Sequence, residues 1–325
     1  MKQRRIGTLL RLIISIALLL VLFLLIDREA LVEIFLSVDI PFFLAGLLFF
    51  VGTILTWTLR WHLLMRAAGE AITYWKSLHT LTIGMFFSMF LPTIVGTDVG
   101  RVYELGRDDS YRRSNLVSTV VLDRLMGLLT ISMMAVGGLI AGSQFAADQG
   151  IVLTVLGTLA VLIFGWVIVF NARAERWIFS LISRIPIVKR FRDSLHRVYK
   201  SLDTLYRRPR LMATAGSVSV INSLCTIVAT YLAARSIGVD INPIYFFIFM
   251  PIIWIIITIP VSLSGLGVRE GAFVFFFSQV GVASSAAIAI SLLYYAYNVV
   301  VGAVGGLLLL SSSLAQARRR RIGEA

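Results

Sequence analysis

The chain is poor in the residues on which cross-linking and catalysis most often rely. Among its 325 residues there is one cysteine and there are three histidines. A single cysteine excludes an intrachain disulfide and a cysteine-based metal site, and Cys225, inside an apolar run, reads as packing. His62, His79 and His196 are scattered, with no pair at metal-ligand spacing, and no serine stands in a nucleophile elbow. No catalytic residue, metal site or cofactor is therefore expected. The run GLGVREG at 265–271 has the glycines of a nucleotide loop but no strand or βαβ unit around it, so that reading is rejected.

Charge is scarce as well. Only 14% of residues are charged, whereas 58% are hydrophobic and the mean hydropathy is +0.89. Such a balance exceeds what an ordinary soluble domain carries. The expected class is an all-α polytopic membrane protein, and with no polar linker dividing it, residues 1–325 read as a single transmembrane domain. The net charge of +13 would suggest nucleic acid in a soluble protein. Here the basic residues gather at the ends of apolar runs and in one loop, as cytoplasmic flanks do, and no nucleic-acid partner is expected. The basic start MKQRRIG precedes an apolar run at 8–26 that is too long for a signal peptide and lacks a small-residue cleavage pattern. It reads as a retained span.

Windows of about 20 apolar residues predict full spans near 8–26, 40–66, 115–141, 150–171, 211–236 and 283–312. Two further apolar regions, 77–95 and 243–260, break in the same way, as PTIVGTDVGR (Pro92 to Arg101) and PVSLSGLGVR (Pro260 to Arg269). Lys2, Arg4 and Arg5 precede the first span, and the connection after it holds Asp27, Glu29, Glu33 and Asp39, which places the N-terminus in the cytoplasm. The basic segment at about 172–210 and the tail Arg318 to Arg321 belong on the same side. These sides are compatible only if the broken regions are re-entrant hairpins, one entering from each face. Pro92 and Pro260 lie 168 positions apart, and the same offset carries the span at 40 close to that at 211 and the span at 115 to that at 283. The pattern predicts two halves, about 1–141 and 150–314, related as an inverted repeat, a construction used by secondary transporters. The segment at 172–210 has near-helical apolar spacing on a basic background and reads as an amphipathic helix on anionic headgroups.

Polar residues at membrane depth need partners or a wet cavity. Asp123 and Arg124 lie inside a predicted span and point about 100° apart, so each is expected either to pair with another helix or to line a cavity. In the first break, Pro92 and Gly96 punctuate the chain and Thr97 or Asp98 is placed to cap a helix carrying Arg101 and Glu104 on roughly the same face as Asp98. In the second, after Pro260, Ser264 is placed to cap a helix beginning at Gly265, with Gly267 in its start and Arg269 and Glu270 in its first turns. Each break then offers free amides beside an arginine, a place for a phosphate. The bland alternative is a pair of kinks with locally neutralised charge. Tyr294, Tyr295, Tyr297 and Asn298 form a polar stripe suited to structural hydrogen bonds or to substrate contact. His62, beside Trp61, reads as interfacial.

Taken together, PTIVGTDVGRVYEL, DRLMGLL and PVSLSGLGVREGAF resemble the flippase-like transmembrane domain of lysylphosphatidylglycerol synthases and their stand-alone relatives, over nearly the whole chain. One departure is Gly96-Thr97-Asp98 where the family pattern is expected to read Gly-Gly-Asp. The resemblance implies movement of an anionic or aminoacylated phospholipid between leaflets of the cytoplasmic membrane, with Asp98, Arg101, Asp123, Arg124, Arg269 and Glu270 at motif positions. Arginines and helix N-termini would hold the phosphate, and Asp98, Glu104 and Glu270 any cationic portion. The chain ends at Ala325 without the synthases' soluble aminoacyl-transfer domain, so a separate aminoacyl transferase or glycosyltransferase is an expected partner, and a homodimer is compatible. The alternatives are a membrane component of a glycosyltransferase or cell-envelope lipid-modification system, for which only Asp98 or Asp123 offers an acidic centre, and a scaffold with no substrate.

Overall fold

The computed structural model describes residues 28–90, 96–108, 110–141, 192–258 and 267–323, with isolated positions between 153 and 164. The predicted span at 8–26, all but those isolated positions of the span at 150–171, the residues Pro92, Pro260, Ser264 and Gly265, and residues 172–191 lie outside the described residues. Among those described there are ten helices and no strand: α1 Arg28–Leu36, α2 Ile40–Ala67, α3 Tyr74–Phe90, α4 Gly96–Leu105, α5 Arg113–Ala141, α6 Arg192–Tyr206, α7 Pro209–Arg235, α8 Ile244–Thr258, α9 Val268–Ser278 and α10 Ser284–Gly323. Four of them, Ile40–Ala67, Arg113–Gly138, Pro209–Arg235 and Ser284–Ser311, are long and apolar enough to cross a membrane. These are the four described spans that hydropathy predicts.

Helix ends follow local chemistry. At the start of α2, Asp39 accepts from the Phe42 amide at 3.3 Å, and Pro41 occupies the first turn, where its missing N–H costs nothing. Both α2 and α7 end in the same way: Gly69 and Gly238 have positive φ, 88° and 74°, and the next amides, Glu70 and Val239, reach back to Met65 and Ala234 carbonyls at 3.1 Å. Glycine is favoured where the chain turns left-handed to satisfy a helix's last carbonyls.

A long helix, two short ones and a long one occur twice, as α2-α3-α4-α5 and α7-α8-α9-α10. The first helices of the two sets pack antiparallel through polar contacts: Thr53 meets Thr226 at 3.1 Å, Asn222 donates to the Thr53 carbonyl at 2.7 Å and to Thr56 Oγ1 at 3.1 Å, and Arg60 donates to Ser219 at 2.9 Å. In hydrocarbon such groups serve as glue between helices. The opposite stripe of α2, with Leu44, Leu48, Leu55 and Leu59, is exposed, as a lipid-facing surface would be.

The short helices form two hairpins with different adhesives. In α3/α4 the backbones touch, since a Cβ on Gly84 would lie 2.6 Å from the Thr97 carbonyl oxygen, and one on Gly96 2.6 Å from Ser88 Cα. In α8/α9 phenylalanines mesh instead, Phe249 with Phe276 and Phe277 at 5.5 Å and Phe246 with Phe277 at 5.0 Å. Helix α4, with 10 residues, is about 15 Å long at 1.5 Å per residue, and α9, with 11, little longer; neither alone matches a hydrocarbon core of about 30 Å. The closing helix of each set also rests on the first hairpin arm of the other through glycine. Gly138 of α5 abuts the Phe247 carbonyl of α8, and Gly305 and Gly306 of α10 abut Thr82 and Phe86 of α3.

Two expectations need correction. Helix α4 begins at Gly96, so Thr97 and Asp98 lie within its first turn rather than capping it. Gly267 has φ 80° and precedes α9, which begins at Val268, and the Glu270 carboxylate accepts the Gly267 amide at 2.7 Å; the cap expected at Ser264 lies outside the described residues. The basic segment expected at about 172–210 is described from residue 192 onward. The apolar face of α6 is spent on protein: Leu202 and Leu205 are buried against Leu64, Leu122, Met126 and Ala215, and Ser201 bonds Ser118 at 2.8 Å.

Gly84→Ala is expected to lower the thermal stability of the detergent-solubilised protein by about 1–3 kcal/mol, because the neighbouring backbone has nowhere to retreat. Gly216→Ala, where an added Cβ meets nothing within 4 Å, should leave it unchanged or raise it.

Candidate functional site

The interior is organised around two groups of charge. The larger is centred on Asp123 of α5, which is 1% exposed. Its Oδ1 accepts from Arg60 Nε of α2 at 2.6 Å, and its Oδ2 accepts from Trp57 Nε1 at 2.7 Å and from Arg101 Nη1 of α4 at 3.2 Å. Arg101 also pairs with Asp98 one turn earlier, and Asp98 in turn takes Arg124. The Arg101 guanidinium is fully buried between two indole rings, 5.2 Å from the centroid of Trp57 and 4.7 Å from that of Trp61. Three guanidinium groups thus share two carboxylates, leaving a surplus of positive charge. Asp123 and Arg124, adjacent in sequence, have separate partners, as the 100° between consecutive helical residues requires.

The smaller group belongs to α9 and α10. Arg269 pairs with Glu270, donates from Nε to Ser291 at 2.9 Å and lies over the Tyr295 ring at 4.4 Å. Glu270 also accepts from Ser291 at 3.2 Å. The offset of 168 positions that relates the breaks carries Arg101 to Arg269 and Asp123 to Ser291. Each hairpin arginine therefore reaches the corresponding position of its closing helix. In the second set that position is a hydroxyl, and the carboxylate comes from the next residue along the chain.

Between the two groups lies a cavity of about 310 Å³. Arg60, Asp123 and Arg124 line it from one side and Arg269, Tyr294, Tyr295 and Asn298 from the other, with Thr53, Asn222 and Thr226 from the α2/α7 contact. Of the charged residues singled out by sequence, Asp123, Arg124 and Arg269 reach its wall, as do Thr97, Tyr294, Tyr295 and Asn298. Asp98, Arg101 and Glu270 stand behind them, and Arg101 is enclosed too completely to meet a ligand. Glu104 lies elsewhere, beside His79 of α3, with a buried Oε2 that has no hydrogen-bond partner among the described residues. Tyr297 donates to the Phe43 carbonyl at 3.0 Å and is structural, while its neighbours Tyr294 and Tyr295 face the cavity. His62 meets Ser77 at 3.4 Å and packs edge-on to Tyr74. Sequence reasoning missed Trp57 and Arg60. The signal was present: an arginine between two tryptophans, inside an apolar run, is a charge that must find a partner.

Two pairs of short helices, antiparallel long helices and a cavity lined by arginines define a polytopic helical membrane protein with a polar site. Residues 8–306 match the lysylphosphatidylglycerol synthase transmembrane region, and the chain belongs to that family. It is 23% identical over 300 residues to a UPF0104 membrane protein of Pyrococcus horikoshii, covering 86% of this chain and 90% of the relative. It is 21% identical over 244 residues to a UPF0104 membrane protein of Methanothermobacter thermautotrophicus, covering 70% and 72% respectively. No solved structure gives a significant match.

Asp123→Asn removes the charge that compensates Arg60 and Arg101 in a dry interior and is expected to cost about 3–5 kcal/mol, read as thermal unfolding in detergent. Ser219→Ala removes one neutral partner of Arg60 and should cost no more than about 1.5 kcal/mol.

Proposed function

We propose that this protein holds the headgroup of an anionic phospholipid, aminoacylated or not, in the central cavity and moves it between the leaflets of the cytoplasmic membrane. The observation that carries the reading is the arginine content of one cavity fed by both helix sets, Arg60 and Arg124 from one and Arg269 from the other. Guanidinium groups bind phosphate bidentately. Maintaining three of them at membrane depth, at roughly 2.5–3.5 kcal/mol each on insertion scales, has a use if an anion must cross there. The antiparallel α2 and α7 support an inverted repeat with hairpins opening to opposite faces and both termini in the cytoplasm. In that arrangement the acyl chains stay in the bilayer while the headgroup passes through the polar centre.

The alternative, a membrane component of a glycosyltransferase or lipid-modification system, asks for a carboxylate open to a metal or a sugar. Asp98 and Asp123, the two candidates, give their oxygens to arginines and a tryptophan.

Liposomes containing the purified protein should equilibrate a labelled anionic phospholipid between leaflets faster than empty vesicles. The double substitution Arg269→Gln with Glu270→Gln leaves no carboxylate stranded and should slow this roughly tenfold or more, the loss of about one charge-assisted hydrogen bond. Rates equal to empty vesicles for the unaltered protein, with every anionic lipid tried, would sink the reading.

A further inference from the structure

A second polar cluster lies away from the cavity, between α2, α3 and α4. We propose that it binds one proton, held between Glu104 and His79, and that this proton decides whether Arg101 stays with the carboxylates behind the cavity wall. Its use in driving lipid movement rests on the function proposed above, whereas the proton site itself stands apart from that reading.

Among the described residues, four buried side-chain atoms have no hydrogen-bond partner: Trp61 Nε1, His79 Nδ1, Arg101 Nε and Glu104 Oε2. They are neighbours. The centroid of the Trp61 ring is 4.7 Å from the Arg101 guanidinium, Glu104 follows Arg101 by one turn of α4, and His79 feels the charge of Glu104. Packing of the hairpin explains the last relation. With α3 and α4 antiparallel, a Cβ on Gly96 would meet Ser88 Cα at 2.6 Å and one on Gly100 would meet Gly84 Cα at 2.7 Å. One further turn brings Glu104 opposite positions 79–80. Orphaned buried polar atoms are rare, because each has given up its bond to water. Here an acceptor, two donors and an imidazole able to play either part stand together. Glu and His side chains inside a membrane domain are characteristic of proton relays.

Few other charges compete for the pair. Lys76, exposed one turn before His79, acts on it and also on Asp108, which is exposed beyond the end of α4. Arg107 is exposed and turns to the Tyr103 ring at 5.8 Å. From α2, His62 meets Ser77 of α3 at 3.4 Å and has Arg66 near it. From α5, Asp123 and Arg124 engage Arg101 and Asp98. Gly302, Gly305 and Gly306 of α10 pack on α3, and residues 302–311 of that helix include no titratable side chain. With a proton on the pair, Glu104 is either neutral or matched by an imidazolium, and Arg101 keeps Asp98 and Asp123. Once the proton has left to water, a carboxylate without a counterion stands one turn from the open Nε of Arg101 and competes with Asp98 for that guanidinium. Asp98 also holds Arg124, and Arg124 and Thr97 line the cavity, so the exchange reaches the site.

The test uses the full-length protein with isotope-labelled histidine in detergent, its three histidine rings followed by NMR as the pH is varied. The His79 signal is assigned by its loss in His79→Gln. Glu104→Gln is expected to lower the His79 midpoint by about one pH unit or more, a tenfold loss of proton affinity, because a nearby carboxylate favours the protonated ring. Glu104→Asp, which keeps the carboxylate, should restore most of the loss, and the midpoints of His62 and His196 should stay where they are. A His79 midpoint unmoved by Glu104→Gln would overturn the proton site. In liposomes, equilibration of a labelled anionic phospholipid should change severalfold across the His79 midpoint for the unaltered protein and stay level in Glu104→Gln. The same pH dependence in both proteins would overturn the link to transport. No lipid movement by the unaltered protein at any pH would overturn the proposed function and the coupling with it, while the histidine titration would still decide the proton site.

Discussion

The arrangement depends on one buried carboxylate. Asp123 accepts from α2 through Trp57 and Arg60 and from α4 through Arg101, while belonging itself to α5. It therefore ties the opening helix, the hairpin and the closing helix of the first set at a single point. An arginine at that depth is costly by itself, and so is an aspartate. Together they are tolerated only in geometry that satisfies nearly every donor, which fixes where the three helices sit. The indoles of Trp57 and Trp61 complete the enclosure by covering the guanidinium of Arg101.

That constraint separates support from surface. Because Arg101 and Asp98 are consumed in holding the hairpin, the arginines of the first set that face the cavity are Arg60 and Arg124. The second set repeats the logic with weaker means: Arg269 takes its carboxylate from its own neighbour and a hydroxyl from α10. The first hairpin is consequently bonded across three helices and closed by glycine contacts. The second is held by one ion pair, a serine and interleaved phenylalanines.

Much of the fold was legible because lipid leaves few choices. Apolar runs of about 20 residues must be helices, and the four described spans follow hydropathy closely. The shared proline–glycine punctuation at Pro92 and Pro260 falls in sequence between α3 and α4 and between α8 and α9. The site was legible only in part. Motif positions identified Asp123, Arg124 and Arg269, all on the cavity wall, but also Asp98, Arg101 and Glu270, which stand behind it. Spacing along one helix shows which residues share a face, not what the facing helix presents. For the same reason the basic segment read as a lipid-surface helix, whereas Leu202 and Leu205 of α6 are buried against α2, α5 and α7.

The sequence by itself determined that this is a helical membrane protein with its described spans where the apolar runs lie, because hydropathy and helix-breaking residues act locally. Only the tertiary structure decided which arginine is a strut and which faces the cavity. That choice rests on carboxylates brought from other helices, such as Asp123 to Arg60 across 63 positions of chain, and on the desolvation cost that forbids any of those charges to stand alone.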